Sequence, residues 1–297
     1  MTHVKKRRKP VSSRIFDIVV YILLFLVAMV TIVPFLQVVT ISLSPPEVVA
    51  SYGLHLIPTK IDLEGYRSIF KYKLLWTSYR NTIVRTLFGT ALSMFLYVIA
   101  AYPLSRYTFS GRKFLNFFIA FTMYFGGGMI PFYLLMVKLG LYNTRWVMVI
   151  PSLISTWNIM LCRSAFTEMP NELVESAQID GASDWLILRR IAIPLIKPTL
   201  AVVTMYYAIG HWNDFMTPLI YINKESLQPM QLLLRRILAQ FSTDFTQGMN
   251  IMAALKSVVS VQIRYVTIVV AIAPILLVYP FIQKYFVKGV MLGAVKG

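Results

Sequence analysis

The residues able to carry chemistry fall into two sets. One is a polar, acidic island, Asn171-Glu172-Leu173-Val174-Glu175-Ser176-Ala177-Gln178-Ile179-Asp180-Gly181-Ala182; Ile191-Ala192-Ile193-Pro194 follows after a nine-residue gap from Gly181. The other is a scatter of polar groups inside apolar runs: Arg85, His211, Asn213 and Asp214. Neither set has the make-up of a catalytic centre. An exposed polar helix bounded by apolar spans is a docking surface, and an ionisable group inside an apolar run is by default a functional hypothesis. Three scattered histidines and the single cysteine, Cys162, make neither a metal site nor a disulfide framework. The chain contains no Gly-x-x-x-x-Gly-Lys-Ser/Thr loop, so it does not hydrolyse ATP by that route.

The elements that hold these residues are built for lipid. Hydrophobic residues make up 57% of the chain and charged residues 14%, against roughly 45–50% and about 25% in ordinary globular proteins. The net charge of +17 does not point to nucleic acid, because the basic residues lie in loops between apolar spans. Six stretches are long enough to cross a hydrocarbon core, near 16–42, 80–104, 114–137, 144–166, 193–222 and 264–287. The first follows Lys5-Lys6-Arg7-Arg8-Lys9, exceeds a signal-peptide core in length and lacks a small-x-small cleavage site. It reads as an uncleaved span, leaving 1–15 as a basic tail and 16–297 as one membrane domain. The dense N-terminal cluster favours an internal N-terminus, six spans return the C-terminus inside, and the island at 168–184 then faces inward. Two long segments, 43–79 and 223–263, fall outside; in the second, Leu232–Leu238 reads as a short interfacial helix.

Within the island, Asn171 reads as a helix cap, with Glu172 and Glu175 in the first turn where the dipole favours acids. Gly181 stops that helix. Ser183 and Asp184 offer a second cap, and Pro194 opens the fifth span. Two short helices over about 170–190 then make a protruding knob; the alternative is an amphipathic helix that only connects two spans. Gly126 to Gly128 and Pro131 interrupt the third span, either to bend it around a wet cavity or to let spans pack closely. Counting about 1.5 Å per residue from Ala192 puts Asp214 roughly 33 Å along the fifth span, near its outer end. There it either lines a mouth or makes a structural hydrogen bond between spans. Arg85 either snorkels outward with Arg80 or faces a path, and His211 reads as a packed core histidine.

The island resembles the coupling motif of binding-protein-dependent ABC importer permeases, Glu-Ala-Ala, three residues, Gly, nine residues, Ile-x-Leu-Pro. Here it stands as Glu175-Ser176-Ala177, Gly181 and Ile191-Ala192-Ile193-Pro194, with Ser for Ala and Ile for Leu the only departures. Three more segments resemble the carbohydrate branch of that family, its maltose-permease-like and oligosaccharide-permease-like members: Phe125–Tyr133, Trp212–Tyr221 and Gln283–Gly297. The resemblance implies an all-α polytopic membrane protein with six transmembrane helices, the type I ABC importer permease fold and both termini cytoplasmic, in a bacterial cytoplasmic membrane. It implies a non-catalytic subunit importing an oligosaccharide beside a homologous second permease, an ATP-binding subunit dimer carrying ATP and Mg, and an extracellular solute-binding protein. Glu172, Glu175, Ser176, Ala177, Asp180, Gly181 and Ala182 would then couple to the ATPase. Tyr124, Gly127, Trp157, Trp212, Asn213, Asp214 and Arg85 would line the translocation path. The C-terminal tail would either insert between ATPase subunits or anchor to the membrane. The basic outer half hints at an anionic sugar such as a uronate oligomer, or else suits an acidic binding protein. A peptide or amino-acid permease of the same superfamily, and an ATP-independent secondary transporter or channel, are the rival readings.

Overall fold

The computed structural model describes residues 11–49, 53–54, 56–244 and 261–280, and every regular element among them is helical. The order is α1 (Val11–Ser42), α2 (Pro46–Val49), α3 (Glu64–Lys71), α4 (Lys73–Ser105), α5 (Arg112–Phe121) and α6 (Met129–Lys138). Two 3-10 turns, Trp146–Met148 and Ile150–Ser152, lead into α7 (Thr156–Thr167) and α8 (Asn171–Ile179). Next come α9 (Asp184–Ile187), a π-helical turn over Leu188–Ala192, α10 (Ile193–Leu195), α11 (Lys197–Asn213), α12 (Met216–Tyr221) and α13 (Met230–Asp244). A last helix, α14, spans Val261–Pro280. The basic cluster at 5–9 and the tail at 283–297 lie outside the described residues.

The helices fall into two compact units, one drawn from residues up to Lys71 with Leu238–Val270, the other from Tyr72–Ile237 with the residues after Val270. In the first, the most apolar eighteen-residue stretch of α1 has no buried residue, as expected of a span clothed by lipid or another subunit. The hydroxyls of Ser42 and Tyr66 lie 2.7 Å apart, which ties the end of α1 to α3.

The second unit holds both candidate sites, and α4 is its axis, packing chiefly on α11 and α7. Its pattern is inverted relative to a soluble helix. Ser78, Thr82, Arg85, Gly89, Ser93, Tyr97 and Ala101, spaced by three or four, are buried, whereas Ile83, Val84, Leu87, Phe88, Phe95 and Ile99 are exposed. Lipid supplies no hydrophobic drive between spans, so small and polar residues make the close contacts and aliphatic ones face the bilayer. One core cluster runs from Tyr97, Ala101 and Tyr102 through Ile159, Cys162 and Phe166 to Val174, Ile187 and Leu188. It is continuous from spans to island.

Among the described residues, three helices are long and apolar enough to cross a membrane, Ile15–Ser42, Lys73–Ser105 and Val261–Pro280; a fourth crossing is available if Trp146–Ser152 and Thr156–Thr167, bent by 47°, count as one span. The third expected span is divided between α5 and α6, and the fifth between α10, α11 and α12. The glycine break is there, with Gly128 at φ +83°, but among the described residues no atom lies within 4 Å of where a Cβ on Gly126 or Gly128 would stand. Among the described residues, Gly126 and Gly128 therefore do not serve close packing between spans. The interfacial helix expected over Leu232–Leu238 is part of the longer α13, and Met230, Leu232 and Leu233 are buried in the core.

Candidate functional site

The island folds into two short helices. Pro170, with φ −57°, takes the cap position of α8, and Asn171 is the first helical residue, not the cap. Pro170 has ψ 126°, outside the helical region, so it flanks the helix and the first helical residue is the next one. Glu172 occupies the first turn as expected, whereas Glu175, the fifth helical residue, lies beyond it. The other end is a Schellman closure: Ala182 N–H donates to the Ala177 carbonyl at 2.9 Å and Gly181 N–H to that of Gln178 at 3.0 Å. That closure needs a left-handed residue, and Gly181 sits at φ +78°. Ser183 then caps α9, its hydroxyl accepting from Leu186 N–H at 3.4 Å.

This geometry gives α8 two faces. Glu172, Glu175, Ser176 and Ile179, at helical spacing, are all exposed, Ile179 to 87%. Val174 is buried, and Ala177 and Ala182 pack half-buried against the same core cluster. Of the seven residues expected to couple, Glu172, Glu175, Ser176, Asp180 and Gly181 therefore lie outward, and the two alanines seat the knob on the spans. Trp185, 60% exposed, adds an apolar ring to the surface of α9. The turn after α4 supports the helix from the side, placing the Tyr107 hydroxyl 3.5 Å from Glu175 Oε1.

The second site is a recess of about 360 Å³ between α4, the bent segment before α7, and α11. Arg85, Ser152, Ser155, Asn158, Tyr206 and Asp214 are among its walls. Arg85 does not snorkel. It is buried, donates from Nη2 to Asp214 Oδ2, and makes further bonds from Nη1 to the Asp214 carbonyl at 3.3 Å and from Nε to the Met148 carbonyl at 3.1 Å. Asp214, at the end of α11, also accepts from Thr217 N–H at 3.0 Å. A carboxylate and a guanidinium taken out of water persist only when paired and hydrogen-bonded, and here each meets that condition. Tyr97 bonds through its hydroxyl to that of Tyr207 and accepts from Ser155 N–H at 2.5 Å, which fixes the bend.

Of the residues expected along a path, Arg85 and Asp214 meet in this recess. Trp212 is half-buried with its indole nitrogen unpartnered among the described residues, and Asn213 is exposed at the end of α11. Tyr124 and Gly127 are exposed in the break between α5 and α6, and Trp157 is 64% exposed; none of the three reaches the recess wall. His211 is buried, as a packed histidine should be, and so close to α4 that a Cβ on Gly89 would stand 2.6 Å from its Nε2. Asn158 and the serines of the bend join the wall without having been expected there. For Asn158 the sequence does hold a signal, a lone amide inside the apolar run Trp157–Leu161.

Comparison with known proteins agrees with this architecture. The chain is 40% identical over 286 residues, 96% of its length and 100% of the relative's, to the polygalacturonan/rhamnogalacturonan transport system permease protein YtcP of Bacillus subtilis. It is 37% identical, over 96% of each chain, to protein LplC of the same species. Among solved structures it is similar to a chain of a bacterial ABC transporter involved in the import of the acidic polysaccharide alginate, with a TM-score of 0.85, 35% identity and coverage of 95% of this chain and 100% of that one. A further structure, of bacterial alginate ABC transporter in complex with alginate pentasaccharide-bound periplasmic protein, matches over 88% of this chain and 93% of that one at a TM-score of 0.50 and 14% identity, a likeness of fold alone. The model of the binding-protein-dependent transport system inner membrane component matches residues 2–292, and the chain belongs to that family.

Proposed function

We propose that this protein is the membrane-spanning permease subunit of an ATP-driven importer of oligosaccharides, with acidic, uronate-containing chains as its substrates. The observation that carries the reading is the split character of α8. One face bears Glu172, Glu175, Ser176 and Ile179 outward, and the other is continuous with the core of the spans through Val174 and Ala177. A force applied to the outward face is delivered to α4, α7 and α11 as a rigid-body push, because close-packed interiors transmit strain.

The partners follow from what the chain lacks and what it presents. ATP and Mg reside on a dimer of ATP-binding subunits, which receives the knob; Glu175 and Glu172 pair with basic groups there, and Ile179 and Trp185 add apolar contact. A homologous second permease covers the lipid-free faces, and an extracellular solute-binding protein delivers the sugar. The topology is six spans with both termini cytoplasmic, counting the broken third, fourth and fifth stretches as one crossing each, in the cytoplasmic membrane of a bacterium. Residues 1–15 form a basic tail and 16–297 the permease domain. The substrate class is supported by the polygalacturonan/rhamnogalacturonan and alginate transport named for similar proteins.

The test is reconstitution of the complex in proteoliposomes with uptake of labelled trigalacturonate. Glu172→Lys/Glu175→Lys should lower ATP-driven uptake at least tenfold while the permease pair still inserts and co-purifies. Uptake at the wild-type rate by that variant, or import without any ATPase subunit, would sink the proposal.

A further inference from the structure

Asn158 is 8% exposed, lines the recess, and its amide makes no hydrogen bond among the described residues. The amide opens onto the recess instead of being sealed in the core, so its donors and its acceptor are available to a ligand or ordered water there. Around it the recess offers a particular set of groups. Asp214 retains acceptor capacity beyond its bonds from Arg85 and Thr217. Arg85 has three N–H groups engaged and donors remaining. The Ser155 hydroxyl makes no side-chain hydrogen bond among the described residues, and Tyr206 presents a ring that is 48% exposed. A cavity of about 360 Å³ lies within the range of small-molecule sites, roughly 300–1,000 Å³.

We infer that this recess is a sugar subsite on this subunit, in which the Asn158 amide and the Asp214–Arg85 pair bind adjacent ring hydroxyls and not the carboxylate of an acidic sugar. The inference rests on the importer reading above. Vicinal hydroxyls each donate and accept. A carboxylate beside a guanidinium offers one acceptor and one donor at neighbouring positions, and an amide offers both. A free carboxylate needs an unspent cation. Here the formal charges of Arg85 and Asp214 cancel, and among the described residues His211 is the one other titratable side chain in the wall apart from the tyrosines. Recognition of substrate charge therefore belongs to other surfaces, and this subsite accepts acidic and neutral rings alike.

The experiment uses the assembled permease–ATPase complex in nanodiscs, without binding protein, and equilibrium binding of trigalacturonate and of its fully methyl-esterified form, which differ in charge and share the ring hydroxyls. Wild type should bind both with Kd values within about threefold. Asn158→Ala removes no bond within the chain and should weaken both about tenfold. Asn158→Asp, which adds a negative charge, should weaken the acidic probe by a larger factor than the ester. The inference is overturned if Asn158→Ala binds both probes as wild type does, if it weakens the acidic probe alone, or if wild type binds neither. Failure of the importer reading looks different, since wild-type proteoliposomes supplied with ATP and binding protein would then import neither probe.

Discussion

At the scale of single residues, Gly181 and the Arg85–Asp214 pair are the positions where substitution separates competing physical accounts. Gly181 is at φ +78°, and among the described residues no atom lies within 4 Å of the point a Cβ would occupy, so there its requirement is backbone conformation and not space. L-residues other than Asn and Asp tolerate that region poorly, at about 1–2 kcal/mol. Gly181→Val should therefore disrupt the end of α8 and lower uptake several-fold, whereas Gly181→Asn should retain the fold. If Gly181→Asn folds and still fails to drive uptake, measured against insertion of the same variant, the glycine is also needed for contact with the ATPase. For the ion pair the expectation is non-additive. Asp214→Leu alone strands the buried Arg85 guanidinium, a loss of about 3–5 kcal/mol, while Arg85→Met/Asp214→Leu removes both charges together. Yield of monodisperse protein by fluorescence-detected size exclusion should fall for the single variant and recover in the double one.

At the scale of helices, the contact of α4 with α11 is set by Gly89. A methyl at that position meets His211 Nε2 at 2.6 Å, and the ring is itself buried. Gly89→Ala should lower the thermal midpoint of the complex by an amount corresponding to about 1–3 kcal/mol of overpacking; Gly89→Ala/His211→Ala should restore most of it. How far such features are legible in the sequence depends on what each is made of. The break in the third span is readable, because Gly126 to Gly128 and Pro131 are local signals. The knob is readable too, since Gly181, Ser183 and the acidic first turn are local chemistry. The partner of Arg85 is not, because 129 residues separate it from Asp214 and apolar periodicity carries no information on which spans meet. The buried polar face of α4 is equally hidden: in lipid the two faces of a helix differ in residue size and polarity more than in hydrophobicity, so a window average reads both as span. Asn171 loses the cap position for a simpler reason, the prior claim of Pro170.

At the scale of the whole molecule, the chain presents apolar surfaces that lipid or a partner subunit must cover. The apolar stretch of α1 has no buried residue, and the aromatic run of α5 is exposed, with its last residue Phe121 stacked at 4.2 Å on Phe125 in the break that follows. Orientation decides whether the outward face of α8 can meet an ATPase, and the chain suits a direct measurement. Its one cysteine, Cys162, is fully buried and therefore a silent background. Ile179→Cys, at a position 87% exposed, should react with a membrane-impermeant maleimide in inside-out vesicles and stay unlabelled in right-side-out ones. Labelling from the outer side would remove the basis for coupling.

The π-helical turn at Leu188–Ala192, between the knob and the shaft of the fifth span, sets an angle. Such a turn holds one residue more than the α-helix around it. Deleting a single residue there would let the segment relax into regular α-helix and swivel the knob by about 100° about the shaft. The direction in which Glu172 and Glu175 point is thus a phase written by one extra amino acid. A lineage that lost it would keep every residue of that face and aim it in another direction.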